Sequence, residues 1–116
     1  MLFPQNPKVL IIDDEYSEVS GLMQTFSLKG IPFIHLNGSK VPKKFKKFTS
    51  IRLVILDIDL RGRTIGIHDD NQKAAVLAKY LNEIIDENTY PFFILFWTKN
   101  SEVSKSVVKY LNESKL

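Results

Sequence analysis

The apolar residues of this chain fall into short, almost uninterrupted runs, each followed at once by a polar residue. Three such runs cover residues 9–12, 53–56 and 92–97, and they are followed by Asp13, Asp57 and Thr98. Strands buried on both faces of a parallel sheet carry runs of this kind, so the pattern predicts three such strands. A weaker run over residues 32–36 predicts an edge strand, because Pro32 cannot donate a backbone hydrogen bond to a neighbouring strand.

Between these runs the apolar residues recur with the spacing of amphipathic helices. The pattern predicts a first helix that ends at Gly30, a longest helix over about residues 71–87, and a last helix near the end of the chain. The apolar faces are formed by Val19, Leu22, Met23 and Phe26, by Ala74, Leu77, Ala78, Leu81, Ile84 and Ile85, and by Val103, Val107 and Leu111. The candidate capping residues are Asp69 and Asp70 for the longest helix and Asn100 or Ser101 for the last.

A lysine-rich segment separates the second and third predicted strands. Its lysines are Lys40, Lys43, Lys44, Lys46 and Lys47. Residues 41–48 predict a short basic helix with Phe45 and Phe48 facing inward. A solvated helix face explains this charge better than a nucleic-acid site does, so nucleic acid is not an expected partner of this domain.

The alternation of four strands with four helices indicates an α/β fold, with a parallel sheet and helices on both of its faces. Open sheets of this type bind ligands beyond the carboxyl ends of their strands, near the point where the strand order reverses. Asp13, Asp14, Asp57 and Thr98 follow their strands directly. We therefore expect these four side chains to meet at the carboxyl end of the sheet.

Composition excludes several classes of protein. The chain has 116 residues, of which 44% are hydrophobic and 25% charged, as expected for one globular domain with its own core. The absence of cysteine excludes disulfides, thiolate zinc sites and a cysteine nucleophile. His35 and His68 are far apart in sequence, which argues against an imidazole-rich metal site. The longest apolar run is far shorter than the roughly 20 residues of a membrane-spanning helix, so no membrane association is predicted.

The net charge of +3 hides an asymmetry. Five of the 13 acidic residues are Asp13, Asp14, Glu15, Asp57 and Asp59. The rest of the chain has 16 basic and 8 acidic residues, so it is more strongly basic than the net charge suggests. Carboxylates gathered at one place need a cation or raised pKa values. Oxygen ligands alone favour Mg²⁺ or Mn²⁺ over zinc, and a carboxylate beside such an ion can attack phosphorus and form an aspartyl phosphate. Taken singly, Asp13 and Asp14 also fit a helix cap and Thr98 a strand-end turn.

In these features the chain resembles the receiver domain of bacterial two-component response regulators. Residues 9–15 resemble the first strand and its acidic pair, residues 53–57 the strand that ends in the phosphoacceptor aspartate, and residues 94–98 the strand before the switch hydroxyl. The resemblance implies a flavodoxin-like open sheet with strand order 2-1-3-4 and the fifth strand missing. It also implies a receiver-like domain over residues 1–116, forming the N-terminal part of a longer protein.

The same resemblance implies particular roles for site residues and partners. Asp57 is the expected phosphoacceptor and Thr98 the expected switch hydroxyl. Asp13, Asp14, Asp57 and the backbone carbonyl of Asp59 are the expected ligands of Mg²⁺. The implied function is phosphorelay signal transduction in the cytoplasm, by a domain that phosphorylates itself rather than turning over a substrate. A histidine kinase or phosphotransfer protein would be the phosphoryl donor, and an output domain or downstream protein would receive the signal.

The chain also departs from the receiver pattern. It contains no Lys-Pro dipeptide to supply the lysine that pairs with the phosphate in receivers, and Lys99 follows Thr98 where a small residue is usual. The loop after Asp57 lacks the usual Met-Pro and carries Arg61 and Arg63, for which a solvent-facing role is the simpler interpretation.

Three other functions stay open at this point. A pseudo-receiver would have the same fold but bind partners without phosphorylation. A phosphatase of the haloacid-dehalogenase type would use Asp57 and Asp59, and a Toprim-like nucleic-acid enzyme would use Glu15 with the same two residues. Because strand 92–97 would form an unpaired edge, the sequence also predicts a homodimer or segment swap through this strand, unless the last helix folds over it.

Overall fold

The computed structural model describes residues 6–39, 41–42, 44–60, 64–89, 91–96 and 101–114. Strands and helices alternate along these residues. The strands are β1 (Val9–Ile12), β2 (Phe33–Leu36), β3 (Leu53–Leu56) and β4 (Phe93–Phe96), and the helices are α1 (Tyr16–Leu28), α2 (Asp70–Ile84) and α3 (Ser101–Ser114), with a 3₁₀ turn at Glu87–Thr89. This order confirms the prediction of an α/β fold.

The four strands form one parallel sheet in the order β2-β1-β3-β4. Val9 of β1 pairs with Phe33 of β2 and with Leu53 of β3, and Leu53 pairs in turn with Phe93 of β4. The predicted strand order is therefore confirmed, as is the edge position of β2. Because all strands run the same way, β1 and β3 end side by side at the carboxyl end of the sheet, which is where the acidic residues follow.

The apolar core lies on both faces of the sheet. On one face α1 covers β1 and β3, where Val19 and Met23 pack against Ile11 and Ile55. On the other face α2 and α3 bury the larger part of the core. Its members include Leu10, Ile12, Val54, Leu56, Leu77, Leu81, Val107 and Leu111. Among the described residues, none of the helices has both the length and the apolar character needed to cross a membrane.

Local signals fix the ends of two helices. The backbone N–H of Ile31 donates to the carbonyl of Phe26, and that of Gly30 to the carbonyl of Ser27. These two hydrogen bonds end α1. They require a positive φ at Gly30, which is 68° and which glycine adopts at little cost. At the start of α2 the Asp69 carboxylate accepts the N–H of Gln72 at 2.9 Å, so this residue is the cap that its position predicted.

The prediction of a helix over residues 41–48 is wrong. The described residues of this segment are not helical. Phe48 instead forms a parallel bridge with Ile85: its N–H donates to the Ile84 carbonyl at 2.9 Å, and its own carbonyl accepts the N–H of Asp86 at 2.8 Å. A helix of only two turns is marginal on its own, so these bonds prevail. The inward orientation of Phe45 and Phe48 was predicted correctly, because their rings make an edge-to-face contact at 5.5 Å and pack on the core.

The same bridge explains why α2 ends at Ile84, three residues before its predicted end. Ile85 adopts an extended conformation, with φ −116° and ψ 128°, and so leaves the helix to pair with Phe48. The expectation that β4 is buried on both faces is also wrong. Ile94 and Phe96 pack on the core, whereas Phe93 and Leu95 on the opposite face are exposed, because α1 lies over β1 and β3 and does not reach β4.

Candidate metal and phosphoryl-acceptor site

Backbone hydrogen bonds place Asp13 and Asp57 side by side at the carboxyl end of the sheet. The N–H of Asp57 donates to the carbonyl of Ile12 at 2.8 Å, and the N–H of Asp13 donates to the carbonyl of Leu36 at 3.1 Å. Each bond extends the parallel ladder one residue beyond its strand. These bonds fix the backbone of both aspartates at the ends of neighbouring strands, as their positions after the apolar runs predicted.

Three carboxylates form an acidic cluster at this point: Asp13, Asp14 and Asp57. Each offers one oxygen, and these oxygens all lie within 4.8 Å of one another. Asp13 is 1% exposed and Asp57 is 9% exposed, so water solvates these charges poorly. No histidine or cysteine belongs to the cluster. An all-oxygen set of this size suits a hard divalent cation such as Mg²⁺, which keeps several of its waters.

Asp13 is the most deeply buried member of the cluster. Its Oδ1 accepts the N–H of Glu15 at 2.7 Å. Its Oδ2 is buried and has no hydrogen-bond partner among the described residues. An unpartnered charged oxygen in the interior costs free energy unless a cation or donor meets it. A bound cation would supply that partner.

The carboxyl group of Asp57 has a raised pKa. Burial raises its pKa from 3.8 to about 6, and the charges of Asp13 and Asp14 act in the same direction. One contact opposes this change: the N–H of Asp59 donates to Asp57 Oδ1 at 3.0 Å. At neutral pH Asp57 is therefore ionised, although its charge is held less favourably than in water.

This raised pKa predicts how the stability of the cation-free chain depends on pH. The folded state keeps a proton on Asp57 at pH values where the unfolded chain has lost it. This group therefore makes stability fall as the pH rises from about 4 to about 6. We expect Asp57→Asn to reduce that slope in urea denaturation, whereas Asp86→Asn should leave it in place. An unchanged slope in Asp57→Asn would contradict the prediction.

Two residues that the sequence did not point to complete the surroundings of Asp13. His35 Nε2 lies 2.8 Å from the Asp13 carbonyl oxygen and so carries the donated proton. Its ring also contacts that of Tyr16, with 6.1 Å between centroids. Glu18 on α1 faces the cluster, and the nearby charge of Asp13 raises its pKa. His35 could have been suspected, because a residue near the end of β2 lies beside the end of β1.

The loop after Asp57 is anchored at two points. The buried Thr64 hydroxyl accepts the N–H of Leu60 at 2.7 Å and donates to the carbonyl of Ile58 at 2.6 Å. The Asp59 carboxylate is exposed and forms an ion pair with Lys73 Nζ of α2 at 2.9 Å. The side chain of Asp59 therefore lies outside the acidic cluster. Arg61 and Arg63 lie outside the described residues.

Thr98, the expected switch hydroxyl, and Lys99 also lie outside the described residues. The described part of β4 ends at Phe96, which pairs with Leu56 directly before Asp57. The structure therefore brings together Asp13, Asp14 and Asp57 of the predicted site residues.

No protein-family model matches the chain, and no curated protein sequence matches it. One similar solved structure is described as the yeast Spc42 trimeric coiled-coil, amino acids 181–211, in a fusion. It is 12% identical, with 99% of this chain and 85% of that chain covered and a TM-score of 0.36. A likeness at this level carries no argument about fold or function. Both therefore rest on the sheet and the carboxylates of the chain itself.

Proposed function

We propose that this chain is a receiver-like signalling domain that takes a phosphoryl group onto Asp57, with Mg²⁺ held by the acidic cluster. One observation carries the proposal: oxygens of three carboxylates, two of which are at most 9% exposed, lie within 4.8 Å of one another at the end of two adjacent parallel strands. The Oδ2 of Asp13 supports it, because this buried oxygen has no hydrogen-bond partner among the described residues. The backbone carbonyl of Asp59 is a further candidate ligand in this proposal.

The chain's own groups account for the acceptor chemistry. Asp57 Oδ1 already accepts the Asp59 N–H, which leaves Oδ2 as the attacking oxygen. This oxygen forms a bond to phosphorus as the bond from phosphorus to the donor's leaving group breaks, and the leaving group departs with that electron pair. A pKa of about 6 keeps Asp57 ionised at neutral pH and still basic enough to attack. Bound Mg²⁺ would neutralise charge on the phosphoryl oxygens.

The partners follow from the same proposal. A histidine kinase or a phosphotransfer protein would donate the phosphoryl group, and an output domain or downstream protein would read the modified state. The signal would arise from the added negative charge at Asp57, which changes the balance of charges at the carboxyl end of the sheet. The proposal places this activity in the cytoplasm.

Incubation with acetyl phosphate and Mg²⁺ tests the proposal. We expect intact-mass measurement to show one added phosphoryl group, which hydroxylamine removes and chelation of the cation prevents. Asp57→Asn should abolish the addition. Asp86→Asn is the matched control, because it neutralises a carboxylate that follows the end of α2 and lies outside the cluster, and it should retain the labelling.

The rival functions give different results in the same samples. A phosphatase of the haloacid-dehalogenase type would release phosphate from p-nitrophenyl phosphate over many turnovers. A pseudo-receiver would neither gain the phosphoryl group nor turn over this substrate. Either result, or labelling that survives Asp57→Asn, would overturn the proposal.

A further inference from the structure

We propose that β4 pairs in the antiparallel direction with β4 of a second copy of this chain, so that the sheet continues across a two-fold axis at Ile94. Among the described strands, β4 has a neighbour on one side only. Edge strands in stable monomers are commonly protected by charged residues, proline or a bulge. Residues 93–96 are Phe, Ile, Leu and Phe and carry none of these side-chain protections. This proposal does not depend on the chemistry of Asp57.

The face of β4 on the α1 side is apolar and uncovered. Phe93 is 81% exposed and Leu95 is 49% exposed. They lie beside Leu53 and Ile55 of β3. The apolar face that α1 covers on β1 and β3 therefore continues onto β4, where α1 does not cover it. The other face of β4 does not share this property, because Ile94 and Phe96 pack on the core that α2 and α3 enclose.

The backbone directions select the register. The N–H of Phe93 donates inward to the carbonyl of Arg52 at 2.9 Å. Successive residues of a strand alternate in direction, so the N–H and carbonyl of Ile94 point outward. In an antiparallel pair centred there, Ile94 exchanges two hydrogen bonds with the partner's Ile94. Phe93 then lies opposite the partner's Leu95, in the type of pair where side chains approach most closely.

Charge favours a second copy as the occupant and an antiparallel arrangement. Residues 91–98 contain no charged side chain, so pairing with an identical strand brings no like charges opposite one another. The nearest charges in sequence are Glu87 before the strand and Lys99 after it. By sequence order, antiparallel pairing brings the residues before the strand in one copy toward those after it in the other, whereas parallel pairing brings the same flank of both copies together.

Sedimentation velocity of the 116-residue chain over a wide range of concentration tests this surface. We expect a reversible dimer, together with protection of the Ile94 amide from hydrogen exchange that increases with concentration. Phe93→Lys should weaken the dimer at least about tenfold, because it places a charge against an apolar side chain at two symmetric positions. Leu28→Lys is the matched control, since Leu28 is also 81% exposed and lies at the end of α1; it should dimerise normally.

Three results would overturn the proposal. The first is a chain that remains monomeric up to its solubility limit. The second is a dimer that Phe93→Lys leaves intact, which would place the interface elsewhere. The third is an Ile94 amide protected equally at all concentrations, which would mean that another part of the same chain covers this edge. Circular dichroism of both lysine variants checks that they remain folded.

Discussion

Asp13→Asn is expected to make the cation-free chain more stable and at the same time to weaken its Mg²⁺ binding at least about tenfold. Asp13 is almost fully buried, and its Oδ2 has no hydrogen-bond partner within the described part of the chain. An asparagine keeps the acceptor for the Glu15 N–H, removes a charge beside Asp14 and Asp57, and adds an N–H₂ donor. The carboxylates of Asp14 and Asp57 are the nearby acceptors for this donor, and leaving a buried polar group without a partner costs about 1–3 kcal/mol.

The loss of Mg²⁺ affinity has a separate cause. Mutating a residue that only hydrogen-bonds to a metal ligand already costs roughly 10–100-fold in affinity or activity, so neutralising a ligand should cost at least as much. Thermal unfolding with and without Mg²⁺ measures both effects. The wild-type melting temperature should rise with Mg²⁺, and that of Asp13→Asn should start higher and rise much less.

Asp86→Asn is the matched control for this experiment. Asp86 follows the carboxyl-terminal end of α2, away from the acidic cluster. We therefore expect it to keep the wild-type response to Mg²⁺. A normal Mg²⁺ response in Asp13→Asn, or a loss of stability in its cation-free form, would show that the buried carboxylate serves the fold rather than a cation.

Leu77→Ala is expected to lower the free energy of unfolding by about 2–5 kcal/mol, the usual cost of truncating a large side chain in a well-packed core. Leu77 lies on α2 and is fully buried in the core between the sheet and the helices. Alanine is also the best helix former, so the loss measures packing rather than helix propensity. The total free energy of unfolding of a domain is only about 5–15 kcal/mol. The loss expected for Leu77→Ala is therefore a large fraction of it.

Urea denaturation followed by circular dichroism measures this loss. Leu28→Ala makes the same substitution on α1 at a side chain that is 81% exposed, and its effect should stay within about 0.5 kcal/mol. If the two variants lost equal stability, the core on the α2 side of the sheet would not be packed as the structure has it.

The central part of the fold could be predicted from the sequence because strong, local patterns encode it. Apolar runs predicted β1 and β3, and each of these runs is followed directly by an aspartate. The parallel arrangement then requires Asp13 and Asp57 to lie at the same end of the sheet. Asp13 and Asp57 thus lie close together because their strands run in the same direction, which the alternation of strands and helices already indicated.

The features that could not be predicted depend on contacts between residues far apart in sequence. The bridge between Phe48 and Ile85 overrides the helical appearance of the lysine-rich segment, and nothing local signals it. The extent to which α1 covers the sheet also depends on tertiary packing, so the exposure of Phe93 could not be read from an apolar run. The ion pair of Asp59 with Lys73 joins residues 14 positions apart and depends on the path of the loop between them.

The contacts around Asp59 have a mechanical consequence. Its backbone N–H is bonded to the Asp57 carboxylate, and its own carboxylate is bonded to Lys73 in the first turn of α2. Asp59 therefore acts as a short tether between the strand end and the helix. A displacement of the Asp57 carboxylate would therefore strain the contact with the Asp59 N–H first and, through Asp59, the ion pair with the first turn of α2.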